Sequence, residues 1–149
     1  MRLIIQRVLS ASVTIDEAIY SQINHGLLIL LGVTHDDTKE DIEWLVQKII
    51  NLRIFNDEEG KMNRSIQDVQ GEFLVVSQFT LYASTKKGNR PSFIVSAKPE
   101  IAVSLYENFI EEIIKCGLVT QTGVFGADMK VALVNDGPVT IIIDSKNKE

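Results

Sequence analysis

The hydrophobic pattern of this chain switches between a period of two and a period near 3.6. Leu3-Ile4-Ile5 and Val8-Leu9 form a β-rich run, and Val13 and Ile15 then alternate with Thr14 and Asp16. That alternation predicts a strand with one buried face, and Ile19–Ile23 is placed to return as its hairpin partner. Gly26 precedes Leu27-Leu28-Ile29-Leu30-Leu31-Gly32-Val33, which reads as a strand buried on both faces. Thr38-Lys39-Glu40-Asp41 then has the form that opens a helix. Ile42, Leu45, Val46, Ile49 and Ile50 follow at the spacing of one helical face.

The second half repeats the alternation of periods. Asn56-Asp57-Glu58-Glu59-Gly60 is a polar turn, and Phe73–Tyr82 is a long β-prone segment. Pro99 suits a first helical position, because its missing N–H is not needed there. Ala102, Leu105, Tyr106, Phe109, Ile110 and Ile113 form a second helical stripe, and Gly117 sits where a helix would be capped. Met129–Val134 and Val139–Ile143 flank Asn135-Asp136-Gly137-Pro138. Asp-Gly between two β-rich runs predicts a tight hairpin, with Pro138 at an edge or outside the sheet because it cannot donate to a ladder. Two helices with about seven strands predict an α+β fold, a β-β-α sandwich with two mainly antiparallel or mixed sheets.

Composition narrows the function classes. At 149 residues the chain is expected to form one domain, residues 1–149. A single cysteine, Cys116, excludes a disulfide framework within the chain and a Cys-rich zinc site. The two histidines, His25 and His35, make no HExxH pair and lie beside predicted turns, where surface placement is the plainer reading. Asp36-Asp37 and Asp57-Glu58-Glu59 lack metal-ligand spacing and read as solvated turns. The longest apolar run, Leu27–Leu31, is far short of the ~20 residues a membrane helix needs, and the N-terminus has no signal-peptide core. A cytoplasmic protein is expected.

Charge changes this picture through its distribution. The net charge of −5, from 15 Lys plus Arg against 20 Asp plus Glu, speaks against nucleic acid. Yet the stretch from Phe73 to Pro99 has no acidic residue and carries Lys86, Lys87, Arg90 and Lys98, so it holds +4 and the remainder −9. Lys86-Lys87-Gly88-Asn89-Arg90-Pro91 is a compact basic loop, suited to a phosphate backbone or simply to solvent. Just before it, Ser77-Gln78-Phe79-Thr80 places two hydroxyls, an amide and an aromatic ring. Phe79 is suited to stack on a base and its neighbours to hydrogen-bond a ligand; the plainer reading is a strand with a wet face. Gly137-Pro138 reads either as a plain turn or as a functional one, and Met129 falls in a strand pattern that suits the core.

Three segments together resemble the D-aminoacyl-tRNA deacylase family: Ser77-Gln78-Phe79-Thr80-Leu81-Tyr82-Ala83, Lys87-Gly88-Asn89-Arg90-Pro91-Ser92-Phe93 and Asn135-Asp136-Gly137-Pro138-Val139-Thr140. Gln6-Arg7-Val8, Asn51-Leu52-Arg53-Ile54-Phe55, Glu59-Gly60-Lys61-Met62-Asn63 and Phe125-Gly126-Ala127-Asp128-Met129 extend the similarity over almost the whole chain. The resemblance implies hydrolysis of the ester joining a D-amino acid to the 3′-terminal adenosine of tRNA, with glycine also accepted. It implies a cytoplasmic homodimer that uses no metal and no cofactor. It implies that Gly137-Pro138 is joined by a cis peptide and enters the partner's pocket, with Arg7 holding that motif. Ser77, Gln78, Phe79 and Thr80 match the pocket wall, and Met129 joins the substrate-binding set.

Selectivity in such a site is steric. Two backbone carbonyls at Gly137-Pro138 would fill the space an L side chain needs, while a D side chain points elsewhere and glycine offers nothing to reject. For the chemical step, Thr80 has no evident general base beside it. Attack by a positioned water, helped by the ribose 2′-hydroxyl, is therefore preferred, with backbone N–H groups near Phe79 and Thr80 stabilising the oxyanion. Lys86, Lys87 and Arg90 are the expected contacts to the tRNA backbone. Two other classes stand beside this reading: a tRNA-end or nucleotide-binding module without turnover, and a small oligomeric hydrolase or deaminase of free metabolites.

Overall fold

Alternating side chains of one long strand organise the molecule. In the computed structural model, which describes residues 1–148, β1 runs from Arg2 to Ile15. Leu3 and Ile5 face a core shared with the helices, whereas Val8, Ala11 and Val13 face a second apolar cluster. A strand has only two faces, so this change of partner along β1 requires the sheet to bend around it. β2 (Ala18–Ile23) pairs antiparallel with the far half of β1, and β3 (Gly26–Gly32) pairs antiparallel with the near half.

Two parallel neighbours extend the sheet. β6 (Glu72–Ser77) pairs with β3, and β7 (Thr120–Thr122) pairs with β6. The path β2-β1-β3-β6-β7 curls so far that its ends meet, and the Ser21 hydroxyl donates to the Thr122 carbonyl at 2.7 Å. The sheet is thus a nearly closed barrel. Leu28, Leu74 and Val76 fill its interior; Leu27, Ile29, Phe73 and Val75 face the helices. Both faces of β3 and β6 are apolar because both are covered. A separate two-stranded ribbon, β4 (Phe55–Asn56) with β5 (Met62–Arg64), completes the α+β architecture.

Both helices form where their stripes predict. α1 (Lys39–Asn51) buries Ile42, Leu45, Val46, Ile49 and Ile50, and the Thr38 amide donates to the Asp41 carboxylate at 2.8 Å as one arm of a capping box. α2 (Pro99–Ile114) starts on Pro99 and buries Ala102, Tyr106, Phe109 and Ile113. Gly117 follows with φ +81°, a conformation that costs glycine little. Among the described residues no helix is long and apolar enough to cross a membrane.

Three expectations are corrected. The hairpin at Asn135–Pro138 does not form: β8 runs from Lys130 to Asp144, and both of its halves pair antiparallel with β1. Asn135 lies opposite Val8 and Thr140 opposite Gln6, so residues 136–139 bulge out against Arg7 alone. β1 is long enough to supply one ladder for both runs, so they have no need of each other. Next, the β-prone segment from Phe73 ends as a strand at Ser77, and Phe79–Tyr82 is a 3-10 turn. Finally, Asp37 is no solvated turn residue. It is buried, pairs with the Met1 ammonium, and accepts from the Thr34 amide at 2.8 Å. Asp36 remains exposed.

Candidate active site

The end of β6 makes the cavity. As the strand leaves its parallel neighbours, the Gln78 amide donates to the Leu31 carbonyl at 2.8 Å. The chain then tightens, with Leu81 N–H donating to Gln78 O at 3.2 Å and Ala83 N–H to Thr80 O at 3.0 Å. This turn lies close over the end of β3, where a Cβ on Gly32 would stand 3.0 Å from the Leu81 Cβ and 3.2 Å from the Gln78 carbonyl. Glycine at 32 therefore permits the close approach. The first N–H groups of a helical turn have no partner within the turn. Those of Phe79 and Thr80 donate to no backbone acceptor among the described residues.

Beside the turn opens a cavity of ≈ 560 Å³. Its lining includes Ser77, Gln78 and Phe79 from the end of β6 and the turn, Phe93 and Ser96 beyond the basic loop, and Tyr106, Phe125 and Met129. Phe79 is 57% exposed, and its ring and that of Phe93 meet in a T-shaped contact with centroids 5.0 Å apart. An exposed aromatic side chain at a cavity wall suits a planar ligand. Burial pushes the Tyr106 phenol well above its ordinary range, so it stays protonated and donates to the Val75 carbonyl at 2.9 Å. The only carboxylate among the lining residues is Asp128, which the Lys130 ammonium engages at 2.7 Å. The cavity thus offers aromatic surface and small polar groups beside the unpaired amides of the turn, and no histidine, lysine or cysteine in its lining to serve as a general base.

Other expected residues lie apart. The Thr80 side chain is half-buried and accepts from Gln78 Nε2, and Thr80 stands next to the cavity wall without lining it. Lys86, Lys87 and Arg90 are exposed on a loop whose base is tied by paired bonds between Ser84 and Ser92, at 2.8 and 2.9 Å. That loop leaves the turn and returns directly into Phe93 at the cavity wall. Gly137 and Pro138 are exposed, are joined by a cis peptide, and do not line the cavity of their own chain.

The bulge that carries them is held by side-chain hydrogen bonds and an ion pair. Arg7, only 5% exposed, sends Nη1 to the Ile54 carbonyl at 2.5 Å. Its Nε lies 3.0 Å from the Asp136 carboxylate and donates to the Asp136 carbonyl at 3.3 Å. Asn135 closes the loop by accepting from the Val139 amide at 3.1 Å and donating to Thr140 Oγ1 at 3.0 Å. Gly137 has φ +122°, which disfavours a side chain, and a Cβ there would stand 3.0 Å from Arg7 Nη2. Sequence reasoning missed Ser96, Tyr106 and Phe125 as lining residues. Tyr106 and Phe125 carry the apolar signature of any core residue, and Ser96 carries no signal at all.

The same regions align with known proteins. A family model described as D-Tyr-tRNA(Tyr) deacylase matches residues 4–144. D-aminoacyl-tRNA deacylases of Flavobacterium psychrophilum and Parabacteroides distasonis are each 61% identical, with all of this chain and all of the relative covered. The solved structure of a c-Myc DNA unwinding element binding protein shares 43% identity and a TM-score of 0.91, covering 97% of this chain and 98% of that one. A probable eukaryotic D-amino acid tRNA deacylase, at 16% identity and TM-score 0.81 over 95% of this chain and 97% of that one, shows likeness of fold. The chain belongs to the D-Tyr-tRNA(Tyr) deacylase family.

Proposed function

We propose that this protein is a D-aminoacyl-tRNA deacylase, which cleaves the ester between a D-amino acid, or glycine, and the 3′-terminal adenosine of tRNA. The observation that carries the reading is full-length identity of 61% to deacylases, combined with an aromatic-walled cavity beside a turn with unpaired amides. The terminal adenine stacks in the cavity against Phe79, with Met129 behind it. Ser77 and Gln78 orient the ribose and ester. The basic loop at Lys86, Lys87 and Arg90 meets the phosphates that follow.

Hydrolysis needs little help, because an aminoacyl ester is already activated. Water attacks the carbonyl with assistance from the ribose 2′-hydroxyl, and the Phe79 and Thr80 amides receive the developing oxyanion. The absence of a base in the cavity lining favours this route over a Thr80 nucleophile. Thr80→Ala should therefore keep its deacylation rate within several-fold, whereas trapping of an acyl-enzyme on Thr80 would contradict it.

Chirality is read by backbone. The carbonyls of Gly137 and Pro138, delivered into the cavity of a second copy, occupy the space of an L side chain. Two features support a second copy: the bulge is exposed outside its own cavity, and an apolar row crosses the outer sheet face. In that row Ile4 lies between Leu30 and Ile142 across the ladders, and Ile142 is 66% exposed. The test is ester loss from D-Tyr-tRNA and L-Tyr-tRNA. Loss of the D ester alone is expected. Equal loss of both removes the filter, and loss of neither leaves a binding module.

A further inference from the structure

One hydroxyl grips the turn from outside. Ser96 Oγ donates to the Phe79 carbonyl at 2.9 Å. That carbonyl and the Thr80 N–H belong to the same planar peptide unit. Whatever fixes the oxygen fixes the direction of the N–H on the opposite side. A hydrogen bond accepted by the oxygen also polarises the unit and strengthens what its N–H donates. The preceding unit is held differently: the Gln78 carbonyl, which shares its plane with the Phe79 N–H, accepts from Leu81 within the turn at 3.2 Å. Ser96 is thus the hold on the Thr80 amide from outside the turn.

Ser96 is itself anchored to the core. It forms an antiparallel bridge with Thr34, and the Ala97 amide donates to the Val33 carbonyl at 3.0 Å. Thr34 Oγ1 donates to the Val95 carbonyl at 2.8 Å. The Thr34 amide in turn donates to Asp37, the buried partner of the Met1 ammonium. An unbroken series of bonds therefore runs from a fully buried ion pair to the turn. Such support lets a hydroxyl act as a fixed strut.

We infer that Ser96 is a positioning residue for ester hydrolysis, holding the Phe79–Thr80 peptide so that the Thr80 N–H is pre-aimed at the developing oxyanion. This rests on the proposed deacylase function. Ser96 also lines the cavity, so direct contact with the tRNA end is the competing role. Transition-state positioning lowers kcat, whereas lost ground-state contact raises KM.

Ser96→Ala and Ser96→Thr should be compared with the wild type under single-turnover and steady-state conditions on D-Tyr-tRNA. The expected result is a fall in kcat of roughly three- to tenfold for Ser96→Ala, with KM within about twofold and the thermal midpoint unchanged. Ser96→Thr, which keeps the hydroxyl, should recover most of the rate. In the free protein, the Thr80 amide proton should move upfield in Ser96→Ala and return in Ser96→Thr. An unchanged kcat, an effect confined to KM, or an unmoved Thr80 resonance overturns the inference. A wild type with no activity, by contrast, overturns the deacylase reading beneath it.

Discussion

The turn after β6 and the bulge within β8 both interrupt β structure, but they are held by opposite means. The turn is fixed by hydrogen bonds to its backbone, from Gln78 to Leu31 and from Ser96 to Phe79, and charge plays little part at its cavity. The bulge is fixed by a buried guanidinium that reaches a carboxylate and two carbonyls. One region is a cavity wall beside unpaired amides, proposed above as a receptor; the other is an exposed bulge, proposed above as its probe. In a single chain the probe does not line the receptor. The division makes sense if each copy lends its probe to the other, which is the arrangement proposed above.

The comparison breaks most readily at Arg7. Arg7→Ala leaves the Ile54 carbonyl and the partly exposed Asp136 without their partner, and losing this buried guanidinium and its hydrogen bonds should cost about 2 kcal/mol. Urea unfolding should show the loss. Because the probe loses its anchor, the ratio of D-ester to L-ester hydrolysis should collapse as well. A destabilised variant that still rejects L-Tyr-tRNA would separate the bulge from chirality.

The receptor side is tested by charge. Replacing Lys86, Lys87 and Arg90 together with Glu should weaken tRNA binding by at least tenfold at low salt and flatten its salt dependence. Binding that is unchanged across salt concentrations would make the loop an ordinary solvated surface. The variant should melt like the wild type, since all three side chains are exposed.

The smallest expected effect lies far from both regions, at the start of α1. Burial opposes ionisation of Asp41, but hydrogen bonds from Lys146, Ser145 and the Thr38 amide outweigh it and hold the carboxyl well below its ordinary value of 3.8. A carboxyl lowered in this way stabilises the fold fully above the unfolded value, and the contribution fades as pH falls toward the folded one. Asp41→Asn should therefore melt lower than wild type near neutral pH, by about 1 kcal/mol, and the gap should narrow below about pH 4. A gap that is constant with pH would assign the effect to capping geometry alone.

Much of the fold was legible because its signals are local. The stripes of α1 and α2, Thr38 and Pro99 each act within a few residues, and each element formed where they predict. The misreadings share a different cause. Asp136-Gly137 carries a hairpin signature, but its two runs pair with β1, and its anchor Arg7 is 129 residues away. Ser77–Tyr82 alternates like a strand, yet Gly32 and Ser96 let the chain tighten there. Asp37 looked solvated because its partner is the first residue of the chain. The candidate site was legible through likeness to a family; residue spacing alone left each of its segments with a plain structural explanation.

The most direct test of a receptor and probe supplied by different copies is complementation. Gln78→Ala damages the receptor and should be nearly inactive, whereas Arg7→Ala damages the probe and should cleave D-Tyr-tRNA and L-Tyr-tRNA alike. If they are unfolded together, refolded and allowed to assemble at random, roughly a quarter of the sites should combine an intact receptor with an intact probe. Those sites are half of all that have an intact receptor, so L-ester hydrolysis by the mixture should fall to about half its D-ester hydrolysis. Two well-folded variants that form mixed dimers and still cleave both esters alike would contradict a site shared between chains.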